Sequence, residues 1–139
     1  MRLDLVLRVV TKFVLPWVLV FGVYVQFHGH YSPGGGFQAG VIVAAGFILY
    51  GLIYGLQRLD RLLPLWIVEV LIPLGVLIFA GVGVVGFFTA EGYLDYSGLA
   101  EDPARGEYWG IFVVEAGVGI TVAATMLALF YLFAGRGRA

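Results

Sequence analysis

The chain has 139 residues, a length typical of one domain, with 61% hydrophobic residues, 12% charged residues and a formal net charge of -1. Soluble domains carry about 25% charged residues, and a small domain has too much surface to bury so many apolar side chains. The composition therefore predicts a membrane protein. The net charge itself says nothing about nucleic acid, but the sequence has no basic stripe that could bind it, and the lack of cysteine excludes disulfides and thiolate metal sites.

Four long apolar segments predict four membrane spans, at about residues 9–27, 37–57, 65–89 and 109–134. Each is close to the roughly 20 residues that cross a hydrocarbon layer of about 30 Å. The fold class is thus an all-α bundle of four transmembrane helices, in a single domain over residues 1–139. Because no small-x-small cleavage site follows the first segment, we expect it to remain as an uncleaved first helix.

The basic residues predict the orientation of the bundle. Seven of the eight fall on one side of a four-span arrangement, and only Arg105 falls on the other. By the positive-inside rule, both termini and the short turn at residues 58–64 are cytoplasmic. The loop at residues 90–108 then faces outward. Its acidic residues form either a merely solvated loop or a field that raises the local cation concentration at an entrance.

Small residues line the predicted spans at the spacing that lets membrane helices approach each other closely. The second span contains Gly36-x-x-x-Gly40 and Gly51-x-x-x-Gly55, and the fourth has two neighbouring stripes, Glu115, Gly119, Ala123 and Gly117, Thr121, Thr125. So many contact faces suit packing within the chain and against neighbouring subunits. Since 139 residues leave little room for a self-contained pore, the pattern favours a subunit of a larger assembly.

Three ionisable residues, Lys12, Glu69 and Glu115, fall within predicted spans and are candidates for an ion path, because charge in lipid is costly. The stripe that contains Glu115 predicts a protein-facing position, suited either to a proton or cation relay or to a structural hydrogen bond. Lys12 and Glu69 each precede a proline, Pro16 or Pro73, by four residues, which frees their carbonyls. We predict an intramembrane Lys12–Glu69 ion pair; the alternative is that each residue snorkels alone to the interface.

Residues 28–37, His-Gly-His-Tyr-Ser-Pro-Gly-Gly-Gly-Phe, separate the first two spans and differ from the rest of the chain. Pro33 keeps the preceding residue out of a helix, and the free amides at the following helix start favour anions or carbonyl oxygens. The segment lacks the Gly-Lys-Ser/Thr ending of a phosphate loop. His28 and His30 have no third metal ligand, so they are interpreted either as groups that titrate with external pH or as caps of the loop.

Two motifs carry a family resemblance: Gly29-His30-x-x-Pro33-Gly34-Gly35-Gly36-Phe37-Gln38-x-Gly40-Val41, and the fourth-span sequence from Gly110 to Val122. Over nearly its whole length the chain resembles the B subunit of multisubunit Na⁺/H⁺ antiporters of the Mrp or Mnh type.

The resemblance implies a multi-pass subunit of the cell membrane, without catalytic activity or a cofactor, that assembles with other hydrophobic subunits. The assembly would exchange cytoplasmic Na⁺, or K⁺ in some relatives, for external H⁺ using the proton motive force. The same subunit type occurs in the ion-translocating arm of membrane-bound hydrogenases and related redox complexes, which is the alternative function. Carried onto this chain, the motif residues expected to matter for structure or subunit contact are His30, Pro33, Gly34, Gly35, Gly36, Phe37 and Gly40.

Overall fold

The computed structural model describes residues 2–29, 35–89 and 101–136. In these ranges all the regular structure is helical: α1 Arg2–Phe27, α2 Gly36–Tyr54, α3 Leu56–Leu62, α4 Leu65–Thr89 and α5 Pro103–Gly135. Four of the helices, α1, α2, α4 and α5, are long and apolar enough to cross a membrane. The predicted all-α fold with four spans is therefore confirmed.

The short helix α3 replaces the turn expected after the second span. Gly55 ends α2 with a φ of 95°, a left-handed conformation that favours glycine, and its amide bonds the Gly51 carbonyl at 3.0 Å. The polar sequence that follows is amphipathic, and Leu59 is its buried residue. At the far end, the Leu65 amide donates to the Asp60 carboxylate at 3.3 Å, so the chain re-enters the bundle at once as α4.

Helix α5 begins several residues before the predicted start of the fourth span. Pro103 occupies its first turn, and the Asp102 carboxylate accepts a hydrogen bond from the Ala104 amide at 3.2 Å. Both features start helices efficiently, because they satisfy or remove the amide donors that would otherwise be unpaired. With 33 residues, α5 is about 50 Å long, which exceeds the hydrocarbon thickness of a bilayer.

Helix α5 is the centre of the packing. Helix α4 packs on one side of it and α2 on another, while α1 packs mainly on α2, so α1 and α4 lie at opposite ends of the arrangement. We call the end near Gly36 and Glu115 the glycine end and the opposite end the α3 end. At the α3 end, helices α2 to α5 share one buried cluster: Ala44, Leu59, Val68, Ala124, Leu127 and Tyr131.

Helices α4 and α5 are held unevenly along their length. At the α3 end, the Tyr131 hydroxyl donates to the Leu63 carbonyl at 2.6 Å and ties α5 to the segment before α4. Towards the glycine end the two helices leave a groove of about 490 Å³ between them, whose lining includes Leu77, Val85 and Trp109. The buried cluster therefore fixes one end of the α4–α5 pair more firmly than the other.

Candidate functional site

Helices α2 and α5 cross at the glycine end with almost no space between their backbones. A Cβ atom added to Gly36 would overlap the main-chain carbonyl oxygen of Glu115, and one added to Gly40 would lie 2.6 Å from the carbonyl oxygen of Gly119. The predicted stripe with Glu115 and Gly119 thus faces α2, as expected for a protein-facing position. Only glycine permits this close crossing.

The second predicted stripe of α5 faces a different neighbour. A Cβ atom on Gly117 would lie 2.8 Å from the Gly75 carbonyl oxygen of α4, and one on Gly75 would overlap the Thr121 hydroxyl. That hydroxyl donates to the Ile72 carbonyl at 3.1 Å, just before Pro73. The two stripes of α5 therefore serve two helices: one packs on α2 and the other on α4.

The side chain of Glu115 lies between Gly29 and Gly35, near the two ends of residues 28–37, which we call the glycine segment. A Cβ atom on Gly29 would be 2.6 Å from the carboxylate oxygen Oε2, and one on Gly35 would be 3.0 Å from Oε1. Gly35 also has a φ of 124°, which disfavours any other residue there. The structure thus brings together the two features that the sequence singled out separately, the glycine segment and the carboxylate of the fourth span.

Two buried polar atoms remain unpaired at this site. Oε2 of Glu115 and Nε2 of Gln26 have no hydrogen-bond partner among the described residues. Gln26, on α1, lies beside Gly119 of α5, because a Cβ atom added to Gly119 would be 3.3 Å from the Gln26 Oε1 atom. Gly119 is about one helical turn beyond Glu115. Sequence reasoning did not select Gln26, although an amide inside an apolar span was the available signal.

An apolar groove of about 360 Å³ continues from Gln26 towards Leu63 and Val68 at the α3 end. Its lining comes from α1, α2, α4 and α5 and from Leu63 before α4, and Gln26 is the only polar side chain among the described lining residues. A channel for ions needs polar groups that replace the hydration shell. The described groove does not supply them along its length.

Lys12 and Glu69 lie apart from this site and from each other. Both side chains are exposed, one on α1 and the other on α4, and no ion pair joins them. Helices α2 and α5 lie between α1 and α4. The predicted ion pair within this chain is therefore wrong, because the two helices at similar depth are not neighbours.

The described part of the glycine segment assigns a local role to one histidine. His28 stacks on Tyr24 with ring centroids 4.0 Å apart, and its Nδ1 atom bonds the Tyr24 carbonyl at 3.0 Å. His28 thus caps the end of α1. Phe37, the first aromatic residue of α2, is 61% exposed.

Some of the residues that the sequence predicts to matter lie outside the part of the chain that the structure describes. His30, Pro33 and Gly34 lie outside the described residues, as does most of the acidic loop at residues 90–108. Within the described ranges, no three His, Asp or Glu side chains are grouped closely enough to hold a metal ion.

These features define a small polytopic membrane protein whose spans are joined by glycine contacts around one internal carboxylate. A family described as a domain related to the MnhB subunit of Na⁺/H⁺ antiporter matches residues 6–128 of the chain, and the chain belongs to this family. A protein of Staphylococcus haemolyticus, named as antiporter subunit mnhB2, is 34% identical in an alignment of 135 positions that covers 95% of each chain. The protein of the same name from Staphylococcus aureus strain Newman is 37% identical over 91 residues, 66% of this chain and 64% of the relative. The family predicted from the two motifs is confirmed.

Proposed function

We propose that this chain is an integral subunit of a multisubunit Na⁺/H⁺ antiporter in the cell membrane, where it assembles with other hydrophobic subunits. The assembly exchanges cytoplasmic Na⁺ for external H⁺ and uses the proton motive force. The family match over residues 6–128 carries this proposal, since it includes both the glycine crossing and the helix with Glu115. We assign the chain no catalytic step of its own.

Within such an assembly, the chain supports an ion path at its edge rather than enclosing one. The groove inside the bundle is apolar, whereas the outer faces carry large exposed side chains such as Phe13 and Trp17 on α1. Lys12 and Glu69 are exposed on the two end helices, where neighbouring subunits can supply partners for their charges. Of the three ion-path candidates, Glu115 is the one placed inside the chain.

Purification of the native complex through a tag on this chain tests the proposal. We expect several other hydrophobic proteins to copurify with it, and everted vesicles without the chain to lose Na⁺-dependent proton movement. Copurification of hydrogenase or other redox catalytic subunits would favour the alternative function instead. A functional lone monomer or homo-oligomer would contradict the subunit assignment.

We also propose that both termini are cytoplasmic. The Tyr54 hydroxyl bonds the Arg8 carbonyl at 2.6 Å, which places the basic start of α1 beside the end of α2. Helix α3, with Arg58 and Arg61, follows at the same end, so these basic residues lie together at one end of the bundle. By the positive-inside rule, this end is the cytoplasmic one.

Labelling of single cysteines tests this orientation, because the chain has no cysteine of its own. Gln57 and Glu101 are exposed at opposite ends of the bundle. In intact cells, we expect a membrane-impermeant maleimide to label the Glu101→Cys variant and not the Gln57→Cys variant. In everted vesicles the expected order is the reverse. The opposite pattern would show that the termini face outward.

A further inference from the structure

The apolar groove that ends near Leu63 has the length of one membrane leaflet. Along α5 its lining extends from Ala116 to Leu127, eleven positions or about 16 Å. Half of a hydrocarbon layer is about 15 Å. Val23, which lines the groove on α1, is 53% exposed, so the groove opens to the surface of the bundle. Because an apolar cavity excludes water, its surface is suited to a hydrocarbon chain.

One stripe of α2 leads from the groove to a basic group at the α3 end. Val43 and Phe47 line the groove, and Tyr54 follows Phe47 by seven positions, about two turns, so it shares their face. The Tyr54 hydroxyl donates to the Arg8 carbonyl, and the Arg58 guanidinium lies over the Tyr54 ring, 5.8 Å from its centroid. An exposed guanidinium therefore lies on the groove side of α2, beyond the α3 end of the groove.

Lys12 lies on the side of α1 that faces the groove. It precedes Val23 by eleven positions, which is three turns and about 20°. Helix α1 keeps its contact with α2 between these two levels, since Leu15 and Leu19 both lie against Gly46. The Lys12 side chain is exposed, and no ion pair involves it in the described ranges. A second cation thus lies on the groove side of the bundle, towards the α3 end.

For Lys12, a phospholipid is a better partner than a helix of a neighbouring subunit. A phospholipid places hydrocarbon inside the membrane and a phosphate at its boundary, which is the order of the groove and the basic residues. Lysine side chains near the end of a span extend to that boundary, and arginine binds phosphate through paired hydrogen bonds. To match Lys12, a helix would instead need a carboxylate within the hydrocarbon layer, which is costly.

We propose that the groove binds one anionic phospholipid, with an acyl chain against Phe47 and the phosphate at Lys12 and Arg58. Both cations reach one head group, because Lys12 is one turn beyond Arg8, whose carbonyl bonds the tyrosine beneath Arg58. In the proposed orientation, the lipid belongs to the cytoplasmic leaflet, where basic pockets between membrane helices bind anionic head groups. The inference goes beyond the proposed function, since it does not depend on which ions the assembly exchanges.

Native mass spectrometry of the purified full-length chain in detergent tests the site, with equimolar phosphatidylglycerol and phosphatidylcholine that carry the same acyl chains. We expect the wild type to retain one phosphatidylglycerol molecule in preference to phosphatidylcholine. Loss of one basic residue near an anionic lipid weakens binding about fivefold, so Lys12→Gln and Arg58→Gln should each lower the preference by about this factor. Equal retention of the two lipids by the wild type would overturn the site.

Arg136→Gln is the matched control. Arg136 also lies over an aromatic ring at the α3 end, 5.5 Å from the Phe133 centroid. Phe133 follows Leu127 by six positions, however, and so projects about 120° away from the groove around α5. This variant should keep the preference of the wild type. An equal loss in Arg136→Gln, or no loss in Lys12→Gln and Arg58→Gln, would contradict the assigned head-group site.

A second measurement examines the groove in the native complex. A photo-crosslinking residue in place of Val23, which is half exposed at the edge of the groove, should become linked to phospholipid. A cross-link to another subunit would show that a protein helix covers the groove. That result would overturn the lipid site and leave the proposed function intact.

Discussion

Replacement of Gly36 by alanine is expected to force α2 away from α5 and to lower the free energy of unfolding by about 3 kcal/mol, at the upper end of overpacking costs. The new methyl group would overlap the main-chain carbonyl oxygen of Glu115, which belongs to a continuous helix and cannot move alone. Circular dichroism of the full-length chain during detergent denaturation measures the change. The amount of the Gly36→Ala chain in native membranes should fall in parallel.

Gly81→Ala is the matched control for this experiment. Gly81 lies inside α4, and an added Cβ atom meets nothing within 4 Å. Because alanine is favoured over glycine in a helix by about 1 kcal/mol, this variant should be as stable as the wild type or slightly more stable. If Gly36→Ala unfolded at the same detergent concentration as Gly81→Ala, this result would contradict the close approach of α2 to α5 at Gly36.

Replacement of Phe37 by alanine is expected to leave the chain folded and to weaken its assembly with the other subunits. The Phe37 side chain is 61% exposed at the start of α2, so its removal takes little from the packing of this chain. Exposed aromatic residues that anchor an interface contribute about 2 kcal/mol or more to binding, which corresponds to a loss of affinity of about thirtyfold. Recovery of the complex through a tag on this chain and antiport in everted vesicles should both fall.

Phe87→Ala separates a specific contact from a general loss of apolar surface. Phe87 is 62% exposed at the same end of the bundle, but on α4. We expect it to retain both assembly and antiport. Normal recovery and activity in Phe37→Ala would rule out Phe37 as a subunit contact, and equal losses in both variants would show that the effect is not specific to α2.

The four spans could be predicted from hydrophobicity alone, because twenty apolar residues have few alternatives in a bilayer. The two stripes of α5 were also predictable, since helical periodicity decides which residues share a face. Helix α3 was not, because its seven residues are too few for a periodic signal. Gly55, which separates α2 from α3, resembles the other small residues of the second span.

The relations between helices were the least predictable part. The spacing of Lys12 and Glu69 from their prolines indicates a similar depth, but depth does not determine which helices are neighbours. The Glu115 site depends on the same kind of information, because its parts come from the ends of α1 and α2 and from the middle of α5. Each part was visible in the sequence, but only the crossing of α2 and α5 brings them into contact.

The uneven contact between α4 and α5 has a mechanical consequence. Val68, near the start of α4, is fully buried in the shared cluster, and Gly75 meets Gly117 near the middle of the helix. Beyond that point the two helices line a groove beside Leu77 and Val85. Because Gly75 and Gly117 leave no space between the two backbones, a shift of α4 at this point would act directly on the backbone of α5, two residues from Glu115.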